Sequence, residues 1–222
     1  MGILKSERLD ERNAGKEIID KLKKYNKKTL IIHYSCESFF NLNGRTPRVT
    51  SICIKNRGNN TTKTFSMHIH AQILKKDFNN LSNEDYDIVE RQMLKEFFFY
   101  MKSHSTYYWV HWNMRNASYG FEAIANRYRI LGGNPRDLED EFKIDLSDVL
   151  GKIFTYDFEL HKPDGQLLNL SKRNKISDRD ALKGKEEALA FENRQYLRLH
   201  MSTSRKVELI DRILTLEEKR EN

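Results

Sequence analysis

Residues 29–38 read TLIIHYSCES, and no other stretch constrains the fold as much. Leu30, Ile31, Ile32 and Tyr34 form a short apolar run of the kind that suits a strand. Two more strands follow across short turns. A turn-rich segment at 41–47 leads to residues 48–55, which carry Val49, Ile52 and Ile54. Arg57-Gly58-Asn59-Asn60 is a hairpin signal, and residues 64–70 alternate Phe65, Met67 and Ile69 with polar side chains. Strands joined this closely pair antiparallel, so a three-stranded meander is expected.

Helix and strand alternate after the meander. Ser82, with Asp85 three residues on, predicts an N-terminal cap, and Tyr86, Val89, Met93, Phe97 and Met101 recur at helical spacing. An aromatic strand is expected over 107–112, a helix over 118–131 stopping at Gly132-Gly133, a short strand over 142–146 and a short helix over 147–154. Strands separated by helices are joined by parallel crossovers. Residues 157–176 read as irregular, with a turn at His161–Gly165 and a basic loop at Lys172-Arg173-Asn174-Lys175. The remainder reads as helical, one segment capped by Ser177 with Asp180 at its third position, and a last one carrying Val207, Ile210, Ile213 and Leu214. An amphipathic helix over 7–27 precedes the strands, with Ile18, Ile19, Leu22 and Tyr25 on one side and lysines on the other.

The expected architecture is α/β: a mixed five-stranded sheet flanked by helices, with a helical C-terminal segment. Residues 1–28 form an N-terminal helix, 29–216 the main domain and 217–222 a charged tail.

Charge narrows the choice of partner. The net charge of +7 favours anionic partners, nucleic acid first, although interleaved acids make a solubilising surface the alternative. No apolar run approaches the ~20 residues of a membrane span, so no membrane partner and a cytoplasmic location are expected. Cys36 and Cys53 on neighbouring strands read as reduced thiols. His68 and His70 share a face of the expected third strand at ligand spacing, but no second pair lies nearby, so an ordinary strand face competes with a metal half-site.

The strand Leu30-Ile31-Ile32-His33-Tyr34-Ser35-Cys36-Glu37-Ser38 resembles the first strand of the DEDD-type 3′–5′ exonucleases, in which apolar residues precede Asp-x-Glu. Phe121-Glu122, with Arg127 and Gly132 downstream, resembles their second motif. Ser202-x-x-x-Lys206 falls where their Tyr-x-x-x-Asp would lie. The resemblance implies a ribonuclease-H-like fold and, in intact members, four carboxylates holding two divalent cations that activate water and stabilise the leaving oxygen. Asp-x-Glu on a strand places both acids on one face. Here the first acid is Ser35, the positioning Tyr is Ser202 and the last acid is Lys206. Glu37 and Glu122 are what remains.

The degenerate site positions are therefore Ser35, Glu37, Glu122, Ser202 and Lys206, with Lys206 expected to pair with Glu37 or Glu122. No metal ligand set and no cofactor are expected, Mg or Mn entering only under the alternative reading. Trp112, Arg115 and Asn116, and the loop residues Lys172, Arg173 and Lys175, are the candidate nucleic-acid contacts, since aromatics among cations can stack bases and hold phosphates. The expected function is a non-hydrolytic, nucleic-acid-associated module acting in a larger complex. The alternatives are a divergent metal-dependent 3′–5′ nuclease and a structural subunit that docks a protein partner through its C-terminal helices.

Overall fold

In a computed structural model of the chain, residues 2–39, 42, 44–115 and 117–220 are described, residues 2–4 by backbone alone. Helix α1 (Gly2–Lys24) leads into strands β1 (Thr29–Cys36), β2 (Val49–Asn56) and β3 (Thr61–Ser66). Helices α2 (Met67–Ile73) and α3 (Asn83–Ser103) follow, then β4 (Tyr108–His111), α4 (Phe121–Ile130), β5 (Lys143–Asp145) and α5 (Leu146–Phe154). The chain finishes with α6 (Gln166–Arg173), α7 (Gly184–Glu192) and α8 (Tyr196–Arg220).

The strands form one sheet in the order β3-β2-β1-β4-β5. β2 is antiparallel to β1 and β3, while β1–β4 and β4–β5 are parallel. β1 is thus central, and its side chains divide between two cores by strand alternation. Leu30, Ile32 and Tyr34 join Phe65, Met93, Phe97, Trp109 and Ile124 in the core under α3 and α4. Ile31 joins Ile19, Leu22, Val110, Leu150, Val207 and Ile210 in the core under α1, α5 and α8. α1 therefore shares the sheet's own core, and α8 continues through Glu217 and Glu218, where a charged tail was expected to begin. Both acids are buried, and Arg57 donates to Glu218 at 2.6 and 2.7 Å.

The Ser82–Asp85 capping box forms at the start of α3. Three expected elements are corrected. The third strand stops at Ser66, and Met67, His70 and Ala71 are buried at helical i, i+3, i+4 spacing in α2. His68 and His70 therefore lie on a helix rather than on one strand face. His70 is buried, its ring nitrogens 2.9 Å from the Ser66 carbonyl and 3.2 Å from Glu96. The irregular stretch contains α6, which buries Leu167, Leu168, Leu170 and Ser171, so Lys172 and Arg173 end a helix and are not loop residues. Ser177 caps no helix; its hydroxyl accepts from Arg179 N across a turn, and α7 begins only at Gly184, where Glu186 accepts from Lys183 N at 2.8 Å. Among the described residues, no helix is long and apolar enough to cross a membrane.

Candidate functional site

β1 ends at an irregularity. Ser35 faces Ser51, but the next residue, Cys36, faces Val49, leaving Thr50 as the extra residue of a bulge. Thr50 Oγ1 donates to the Ser35 carbonyl at 3.0 Å, and Glu37 N donates to the Arg48 carbonyl at 2.9 Å. Here β1 lies against α7 and α8. A cleft of about 580 Å³ opens between them, with His33, Ser35, Glu37, Tyr119, Glu187 and Lys206 in its walls.

Three of the motif positions meet in this cleft: Ser35, Glu37 and Lys206. Ser202 lies directly behind them on α8. Each is engaged in a way that differs from an acid site. Thr203 spends its hydroxyl hydrogen on the Leu199 carbonyl at 3.0 Å, so Ser35 Oγ donates to Thr203 Oγ1, 2.9 Å away. Ser202 Oγ accepts from Leu182 N at 2.9 Å and donates to Glu187 Oε1 at 2.6 Å. The other Glu187 oxygen takes the Lys206 ammonium at 2.8 Å, with both side chains under 10% exposed, at 9% and 6%. Lys206 thus pairs with Glu187, correcting the expected pairing with Glu37 or Glu122.

Glu37 is held by arginines. Arg45 reaches Oε2 at 2.5 Å, Arg48 N donates to the same oxygen at 2.9 Å, and the Arg48 guanidinium reaches Oε1 at 3.2 Å. Burial pushes this carboxyl up, but the hydrogen bonds from Arg45 and Arg48 N and the two positive charges outweigh it. The group ends below its ordinary 4.5. Arg48 also reaches Asn83 at 3.2 Å and Asp87 at 3.5 Å on α3. Arg127 then ties Asp87 to the fully buried Glu90, which also accepts from Val49 N.

Glu122 stands apart. It lies in the first turn of α4 but lines no part of the cleft, is 48% exposed and pairs with Arg129 at 2.9 Å. Gly120 fixes that helix entry: its φ of +157° puts an added Cβ 2.5 Å from the Met114 carbonyl, so only glycine fits. Its N–H donates to the Tyr34 hydroxyl at 3.0 Å.

The divalent cations of the resembling family find no matching donor set. Ser35 is neutral and already bonded, Glu37 is neutralised by two guanidiniums, Glu122 is elsewhere, and Lys206 adds a positive charge. Magnesium demands a near-ideal octahedron of oxygens. These residues do not fit it.

The sequence reading missed two residues. His33 shares a face of β1 with Ser35 and lines the cleft; it is 7% exposed, and neither ring nitrogen has a hydrogen-bond partner among the described residues. Burial first, and the Lys206 charge second, hold it well below 6.5, so it is neutral. A polar residue inside a run of apolar ones was its only sequence signal. Glu187 carried none, because it sits in an ordinary charged stretch of α7 far along the chain.

The expected nucleic-acid contacts fare differently from one another. Trp112 is 6% exposed and packs in the core under α5 and α8, so it cannot stack a base; this corrects the sequence reading. Arg115 is exposed but lies 3.5 Å from Asp145 and 3.8 Å from Asp148. Asn116 lies outside the described residues. Lys172 pairs with Asp164 at 2.6 Å, and Arg173 with Glu159 at 3.0 Å. Lys175 is exposed just past the end of α6. Cys36 and Cys53 are free thiols, pushed up to about 12 chiefly by burial.

Comparison with protein-family models, with curated proteins and with solved structures gives no match.

Proposed function

We propose that the chain is a nucleic-acid-associated module on a ribonuclease-H-like fold of the 3′–5′ exonuclease kind, and that it engages its partner without hydrolysing it. The strand order β3-β2-β1-β4-β5, with β2 alone reversed against β1, β3, β4 and β5, supports the fold reading. So does the meeting of Ser35, Glu37 and Lys206 at the end of β1. The observation that carries the non-hydrolytic part is the buried Lys206–Glu187 pair. An ammonium held where an acid would bind a cation opposes metal binding, and its partner Glu187 is spent on Lys206 and Ser202.

The net charge of +7 supports nucleic acid as the partner. Fluorescence anisotropy with labelled single- and double-stranded DNA and RNA tests this. Binding is expected at 50 mM salt and should weaken roughly tenfold or more by 200 mM, because phosphate contacts release counterions. Failure to bind any of these at 50 mM salt would remove the reading. The second reading, a structural subunit, draws on Leu189 at the end of α7 and on Leu197 and Met201, one turn apart on α8. All are large apolar side chains left exposed, at 53%, 66% and 44%.

A further inference from the structure

The cations expected to meet phosphates are mostly committed to carboxylates, but another set is not. A groove of about 530 Å³ runs between edge strand β3, the C-terminal half of α3 and the segment beyond α4. Lys63, Lys95, Lys102 and Arg136 line it. None of these is ion-paired to a carboxylate among the described residues, whereas Arg115, Lys172 and Arg173 all are. Glu96, the one acid among the described residues that line the groove, lies 3.2 Å from both His70 and Gln92, which hold it toward α2 and along its own helix. Between Lys95 and Lys102 stands Phe99, 76% exposed, the most exposed large hydrophobic side chain among the described residues. Residues three and four apart on a helix share a face, so Lys95, Phe99 and Lys102 form one outward stripe.

We propose that this groove binds single-stranded nucleic acid, with Phe99 stacking on a base and Lys63, Lys95, Lys102 and Arg136 holding phosphates. The inference rests on the nucleic-acid reading above and moves its contact surface from Trp112 and Lys172–Lys175 to α3. Cation, aromatic and cation alternate along the stripe as phosphate and base alternate along a strand. Base–aromatic stacking needs an open π-face, which a duplex hides and a single strand offers. An acidic protein segment would satisfy the cations but leave Phe99 without a planar partner.

The test uses the full chain and a labelled oligothymidylate, read by anisotropy. With four phosphate contacts on a single strand, affinity should fall about 50-fold between 50 and 200 mM salt. Lys95→Glu with Lys102→Glu should weaken binding more than tenfold. Phe99→Ala should weaken it about tenfold, and Phe99→Trp should restore it. These side chains are exposed, so thermal unfolding of the variants should match the parent. Lys172→Ala with Arg173→Ala should bind as the parent does. If the parent binds while the Lys95/Lys102 and Phe99→Ala variants bind equally well, the groove is wrong and the nucleic-acid reading survives elsewhere. If the parent binds no nucleic acid, both fall. Polyglutamate displacing the oligonucleotide at equal charge concentration would also overturn the proposal, in favour of an acidic protein segment.

Discussion

Lys206 and Glu187 show how one buried charge organises its surroundings. A buried ammonium needs a carboxylate within hydrogen-bonding reach, and Glu187 supplies it with Ser202 as a second donor. Removing one partner leaves the other charged and buried. Lys206→Ala should therefore cost about 3 kcal/mol of stability, measured by urea unfolding, and Lys206→Met with Glu187→Leu should recover most of it. A single variant as stable as the parent would mean that the pair is solvated. His33, beside it, gives a pH signature. Its folded pKa lies well below 6.5, so on unfolding it takes up a proton wherever the pH is below 6.5. Its contribution to stability is full above 6.5 and is lost as the pH falls from there toward the folded pKa. Other groups titrate in the same range: burial, then Arg115 and Lys143, bring His111 down to about 3, which acts in the same direction. Burial raises Glu90 to about 7 against Arg127, which acts in the opposite one. The clean observable is thus a difference. Between pH 6 and pH 5 the parent should lose roughly 1 kcal/mol relative to His33→Leu. A constant gap across that interval would contradict a buried neutral His33.

Among the elements, α8 is the one that joins the site to the sheet. Its first turns bring Ser202, Thr203 and Lys206 to β1, and its last turns are clamped by Arg57 at the β2–β3 turn. Arg57 donates to Asp211 at 2.7 Å, to Thr215 at 3.2 Å and to both oxygens of Glu218. Arg57→Ala should cost about 2 kcal/mol and speed amide exchange over 211–220 while leaving β1 protected. Uniform exchange across α8 would mean that the clamp is not local. Strands β1, β2, β4 and β5 and helix α3 were legible in the sequence, because apolar runs between turns and a capping box are local signals. Three segments were misread, and Ser177 is the simplest, since its hydroxyl accepts from Arg179 N in a turn as readily as at a helix start. Phe65, Met67 and Ile69 alternate like a strand, yet Met67, His70 and Ala71 also fit a helix, and a window of seven residues supports either period. Leu167, Leu168 and Leu170 stand between a proline turn and a basic run and give too short a pattern to mark a helix, which their tertiary burial against α8 stabilises. Of the site, Ser35, Glu37 and Lys206 could be placed from motif spacing. The Glu187 partner and the arginine clasp on Glu37 could not, since a contact between distant segments leaves no local pattern.

In the whole molecule, one mixed sheet separates two cores, and the two surfaces of interest sit on different sides of it. The cleft at the end of β1 faces α7 and α8, while the basic, aromatic groove lies along α3. Under the proposed function, the chain holds a nucleic acid at one place and carries a charge-neutralised, non-hydrolytic cleft at another. The two claims are separable, and the second is central. It is tested most directly by mixing the full chain with a 5′-labelled single strand bearing a free 3′-hydroxyl and Mn²⁺, and following strand length by mass spectrometry over hours. The account predicts a full-length strand throughout. Stepwise loss of 3′ nucleotides with the parent protein, abolished by Glu37→Gln, would contradict it.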